Sequence, residues 1–362
     1  MTGASRPVQD RSAQRTAAGV HTALHQEGRV AANAQSEATD EAKTAPPRRA
    51  GSVRRTTTHD CTRQDRLDGP VTIVARGRDL LTTVDGNAQV LGTARLDVRA
   101  DFASATIERI TATPPDAGIA ELSGAHAFRG FRARAEKAMP GQRESASLRY
   151  QLLDDLPIAL MLSARALRAA GIGLPMGPAK QLPVDICAGW VAGGTLLAGL
   201  TDQGPPLHRG PMASEISSGD DALAWHAFDP SPRHATRRHR RLDVWHNGEA
   251  AEIDCFFRDS FAGDDGVETV VHEYQVRGTV DPATSRFVSC EATAGPLPYP
   301  ECPNALASAS RLVGGNVEGL RREVRDAFVG PTTCTHLNDT LRSLEDVTAL
   351  LRMLRRATTE AD

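Results

Sequence analysis

Apolar residues along the chain follow two kinds of spacing, and the order of the two is repeated. Runs at 242–245, 251–257, 269–280 and 286–292 are rich in β-branched and aromatic residues, and the turn signals Asn247-Gly248, Asp265-Gly266 and Asp281-Pro282 separate them. They predict strands joined by hairpins. Beyond them the spacing becomes helical, over 305–312, 317–328 and 337–354. The same order occurs earlier, with strands near 71–81, 88–98 and 105–112 and helices near 121–138 and 147–170. Strands first and helices afterwards predict an α+β fold made of two tandem pseudo-repeated units, each a small antiparallel sheet followed by helices packed on one face.

Short matches in preserved order support the repeat. Arg54-Arg55 resembles Arg240-Arg241, while Arg78-Asp79 and Asp85-Gly86 recur as Arg258-Asp259 and Asp265-Gly266. Gly130-Phe131-Arg132 recurs as Gly319-Leu320-Arg321, and 152–156 as 337–341. The expected organisation is a disordered tail over 1–50, a first unit over 51–171, a Gly/Pro-rich insert and linker over 172–235, and a second unit over 236–356. Within the insert, 182–200 is apolar enough to predict a strand pair, and no glycine pattern there fits a phosphate loop.

Charge is nearly balanced, with 42 basic against 45 acidic residues, which argues against a general nucleic-acid or membrane-surface binder. The dense basic run at 233–241 carries no interleaved aromatic platform and reads as a solvated strand edge defended by charge. Six widely spread cysteines, with no signal peptide and no long apolar span, predict reduced thiols and a cytoplasmic protein. An unknown protein partner or small molecule is the expected ligand, and a homodimer is compatible with the domain plan.

The candidate chemistry lies in the second unit. Cys334 sits where the last amphipathic helix begins, so unpaired backbone N–H groups and the helix dipole favour its thiolate. Aligning the units puts His272 opposite Ala94, Cys302 opposite Thr113, and Cys334 and His336 opposite Arg149 and Gln151. These donors are therefore absent from the first unit. A strand, a loop and a helix end bringing His272, Cys302 and Cys334 together predict a metal site, with His336, Glu301 or Asp339 as the fourth ligand. Zinc or an iron-sulfur cluster is the expected cofactor. The competing readings are an enzyme, either with Cys334 as nucleophile, His272 or His336 as base and Asp339 or Glu273 as orienter or with a catalytic zinc that keeps an open position and has Cys334 as ligand, and an interaction module whose cysteines are packed and inert. Cys255 and Cys290, inside apolar strands, read as core. Asp154-Asp155 reads as a helix start rather than an acid/base pair.

Two resemblances extend this reading. The stretches V-H-E-Y-Q-V-R-G-T-V-D, E-C-P and T-C-T-H-L-N-D-T-L, with R-R-T-T-T-H-D near 54 and Y-Q-L-L-D-D-L-P at 150, resemble the actinobacterial form of the domain of unknown function 2889 family over 48–354. That family carries no assigned activity. Residues 242–354 resemble NifU/IscU-type iron-sulfur scaffolds, whose ligands stand at a strand start, after the last strand and at the opening of the final helix. The resemblance implies cluster ligation by the residues at His272, Cys302 and Cys334. His272 replaces a cysteine, and Tyr274 stands where those scaffolds carry a cluster-releasing aspartate, so retained zinc or another retained metal is expected rather than cluster hand-off.

Overall fold

The computed structural model describes residues 41–64, 66–173, 182–201, 204–217 and 219–359. The tail expected over 1–50 lies outside the described residues up to 40. Residues 41–50 are held against the fold: the Ala45 N–H donates to the Ile216 carbonyl, the Lys43 N–H to Glu273, and Arg48 pairs with Asp221.

Four strands, β1 (Ser52–Thr62), β2 (Val71–Thr82), β3 (Ala88–Asp101) and β4 (Thr106–Thr113), precede helices α1 (Ala117–Ala120), α2 (Phe131–Ala138), α3 (Leu148–Leu162) and α4 (Ala164–Ala169). A connecting segment with a short helix α5 (Thr195–Ala198) follows. Then come β5 (Thr236–Asn247), β6 (Ala250–Ala262), β7 (Glu268–Asp281) and β8 (Arg286–Ala294), a 3-10 helix (Cys302–Leu312), α6 (Leu320–Ala327), α7 (Thr335–Ser343) and α8 (Val347–Thr359). The mixed α+β expectation holds. Among the described residues the eight strands form one antiparallel sheet in the order β4-β3-β2-β1-β5-β6-β7-β8, so two consecutive meanders meet at β1 and β5. No helix among the described residues is long and apolar enough to cross a membrane.

The turn signals act where local chemistry demands. Gly86, Gly248 and Gly266 take positive φ in the β2–β3, β5–β6 and β6–β7 hairpins, a region open to glycine because it lacks Cβ. Ser147 caps α3 by accepting from the Tyr150 N–H. Helices α3, α7 and α8 cover one face of the sheet. Beneath them Ile73, Leu96, Leu152 and Leu156 form one apolar cluster, and Ile253, Phe257, Val276, Leu337 and Leu341 belong to another. Each such side chain contributes about 2 kcal/mol. The other face is capped near its centre by Ala45, Ile216 and Trp225 packed on Phe256.

Several expectations need correction. The basic run is no solvated edge: Arg237, Arg238, Arg240 and Arg241 lie in the central strand β5 and are 0–5% exposed. Each meets a carboxylate, Arg237 with Asp60, Arg238 with Asp259, Arg240 with Asp155 and Arg241 with Asp254. Burial is tolerated because the charges are paired. Asp154 and Asp155 stand in the middle of α3, not at its start, and are buried against arginines of both halves. In 182–200 two short helical pieces, 188–190 and α5, replace the predicted strand pair. Strand β1 had no apolar alternation to announce it.

Candidate functional site

The β6–β7 hairpin folds about Asp265-Gly266 and sets Asp259 opposite His272. The register shifts there: Asp259 pairs with His272 but Ser260 with Val270, so Val271 is an extra residue. Such a bulge redirects neighbouring side chains. His272 points to the helix-covered face, where the first turn of α7 delivers His336. One ligand atom from each of Asp259, His272 and His336 lies within 4.8 Å of the others.

The geometry is compact. Nδ1 of His272 is 3.6 Å, and Nε2 of His336 3.8 Å, from the same oxygen of Asp259, Oδ2. These separations exceed hydrogen-bond length. The imidazoles stack with centroids 3.6 Å apart and planes 20° from parallel. Asp259 is fully buried, whereas the His272 and His336 side chains keep 12% and 24% exposure, so the group opens to solvent on the histidine side. Nδ1 of His272 is buried with no hydrogen-bond partner among the described residues.

Electrostatics set each group in its metal-ligating form. Burial pushes the Asp259 carboxyl up, but Arg238, donating Nε to Oδ1 at 2.9 Å and Nη2 to Oδ2 at 3.0 Å, overrides it and holds the group well below the usual range. Burial lowers His272 despite Asp259, and burial together with the neighbouring His272 lowers His336 further. An ionised carboxylate and two neutral imidazoles are the protonation states that bind a divalent ion.

Cys334 stands one step behind. As the N-cap of α7 it accepts a hydrogen bond from the Tyr274 hydroxyl at 3.2 Å, and its Sγ lies 4.0 Å from Nδ1 of His336. The expectation of a thiolate does not hold. Burial pushes the thiol up to about 11, outweighing the Tyr274 hydroxyl and the helix N–H groups. A buried, protonated sulfur is a poor nucleophile. Cys302 opens the 3-10 helix, is pushed up to about 12 by burial and by its neighbour Cys334, and is not among the converging donors.

Of the four expected ligands, His272 and His336 come together, Cys334 backs His336, and Cys302 stands apart from the donor group. Asp339 accepts from Arg238 and Arg342 instead. Glu301 accepts from the N–H and hydroxyl of Thr195. Glu273, adjacent to His272 in a strand, faces the opposite side, where it pairs with Arg258. Cys255 and Cys290 are buried core thiols. Sequence reasoning missed Asp259. The signal was present, since folding the chain about Asp265-Gly266 already places it across from His272.

Residues 236–350, a span containing every residue of this group, match the family model described as "Protein of unknown function (DUF2889)". No curated protein and no solved structure matches the chain.

Proposed function

We propose that this chain, whose residues 236–350 belong to the DUF2889 family, binds one divalent transition metal ion between Asp259, His272 and His336. The observation that carries the reading is the convergence of two neutral imidazoles on one oxygen of a buried, ionised carboxylate at 3.6 and 3.8 Å. A tetrahedral ion with bonds of about 2.0–2.1 Å spaces its donors about 3.3–3.4 Å apart, close to the two histidine–carboxylate separations, and binding it requires the near-parallel rings to turn toward one point. Nitrogen and oxygen donors favour a mononuclear zinc or iron(II) ion over a thiolate-held cluster. Three protein donors and partly exposed histidines leave coordination positions for water or a substrate, the arrangement of a reactive centre rather than a closed structural one. Arg238 fixes the carboxylate from behind, and Cys334 meets the free nitrogen of His336, the roles that orient metal ligands.

Elemental analysis of protein purified without oxygen tests this directly. The native chain is expected to carry about one zinc or iron per molecule, and His272→Ala less than a tenth of that. A metal-free native chain, or equal metal in the variant, removes the proposal.

We also infer that the two halves arose by duplication of one unit. Asp79 faces Gly92 across the β2–β3 hairpin as Asp259 faces His272 across β6–β7, and both hairpins shift register at the next residue. Arg55 pairs with Asp79 and reaches Asp346, while Arg238 pairs with Asp259 and reaches Asp155. Arg54 stands opposite Asp243 and Asp60 opposite Arg237, a reciprocal pair of ion pairs about Thr57 and Arg240, as in a two-fold interface. On this register the counterpart of His272 is Gly92 rather than Ala94, and that of Arg54-Arg55 is Arg237-Arg238.

A further inference from the structure

A cavity of about 240 Å³ lies at the turn end of the β6–β7 hairpin, walled by Arg165 of α4, Leu207, Phe261, Asp264, Asp265 and Thr269. We infer that it receives the carboxylate or phosphate group of a small molecule whose other end reaches the metal. The role as substrate anchor rests on the metal reading above; the anion site itself does not.

Arg165 is a cation without an acidic partner among the described residues. Arg165 is largely buried, its guanidinium donates to the His208 carbonyl, and its Nε is buried without a partner among the described residues. No carboxylate among the described residues lies in ion-pair contact with it. Arg168, one helical turn further on, likewise donates to a backbone carbonyl, that of Pro205. Burial, with the nearby Arg168, lowers Arg165 to about 10, the direction expected of a cation without a counter-ion. This contrasts with β5, where Arg237, Arg238, Arg240 and Arg241 all have acidic partners. Of the two acids on the cavity wall, Asp265 pairs with Arg209, and Asp264 is 78% exposed with a carboxylate oxygen 3.3 Å from Nδ1 of His234. Neither acid is an ion-pair partner of Arg165, the ring of Phe261 lies 5.6 Å from the guanidinium carbon, and a planar guanidinium suits bidentate binding of carboxylate or phosphate.

The cavity is also within reach of the proposed metal. Thr269 precedes His272 by three residues of β7, about 10 Å at roughly 3.3 Å per residue, and Arg165 is close enough to add to the lowering of His272. A ligand anchored at Arg165 and extending along the hairpin would present its far end to the open coordination positions.

Isothermal titration with inorganic phosphate and, separately, succinate tests the inference. The probes distinguish a phosphate from a carboxylate source. The native chain is expected to bind at least one of them, with Arg165→Gln binding tenfold or more weakly and Arg165→Lys intermediate. Melting curves on both Arg165 variants, and their metal content, establish that fold and metal site survive. Failure of both anions to bind the native chain, or equal binding by a folded Arg165→Gln, overturns the inference even if metal is present. Anion binding that depends on Arg165 in a chain without metal upholds the anion site and defeats the metal reading alone.

Discussion

The two halves of the sheet hold the same ion pair and use it differently. In the first, Asp79 is locked by Arg55 and faces Gly92, which offers no side chain. In the second, Asp259 is locked by Arg238 and faces His272, and α7 adds His336 above it. A buried arginine-carboxylate pair is therefore enough for architecture. The second half differs by two imidazoles placed beside one carboxylate oxygen.

The largest effects come from removing the two carboxylates in turn. Asp79→Asn and Asp259→Asn each leave a buried arginine without its bidentate partner, a loss of about 3–5 kcal/mol where nothing else compensates. The lower end applies to both, because Arg55 retains Asp346 and Arg238 retains Asp155 and Asp339. Urea denaturation should show similar destabilisation in the two variants. Metal content should separate them, with Asp259→Asn emptied and Asp79→Asn still loaded. Loss of metal in both, or in neither, breaks the comparison.

A smaller effect distinguishes the donor set now proposed from the cysteine-containing one that the sequence suggests. Cys302→Ser should leave metal stoichiometry and affinity unchanged, since that thiol is not among the converging donors. Cys334→Ser removes the group beside Nδ1 of His336, and changes of this kind cost on the order of tenfold in metal affinity. Competition against a chelator of known affinity measures both. Complete loss of metal in either serine variant would make that cysteine a direct ligand.

Much of this could be read from residue order. Hairpin turns, the change from strand to helix period and the Asp-Gly turn all announce the second half, and the turn places Asp259 opposite His272. What failed was long-range charge. Four arginines in one strand look solvent-bound until their partners are known, and Asp60, Asp155 and Asp254 lie on three different elements. The dipole argument for Cys334 failed for a related reason, because the fold buries the sulfur and desolvation outweighs the helix N–H groups. Strand β1 has Thr and Arg in place of apolar alternation, and its pairing with β5 supplies what its own pattern lacks.

The last effect concerns the seam between the halves, on the face away from Asp259, His272 and His336. Nδ1 of His226 bonds to Thr56 of β1 at 2.8 Å, and the ring lies near His239 of β5. Burial, then Arg78 and Arg76, push His226 down to about 3; burial, then Arg237 and Arg258, lower His239. For a histidine depressed in the folded state, the unfolded chain takes up its proton first. The stabilisation is therefore complete above about pH 6.5 and declines as pH falls toward about 3. Each such group adds up to about 1.4 kcal/mol per pH unit to the slope of stability against pH. His226→Gln keeps a polar side chain but cannot titrate, so its stability measured between pH 6 and 4 should fall less steeply than that of the native chain by up to this amount. An unchanged slope would mean that His226 does not couple the seam to pH, and would leave acid sensitivity to groups lying within one half or the other.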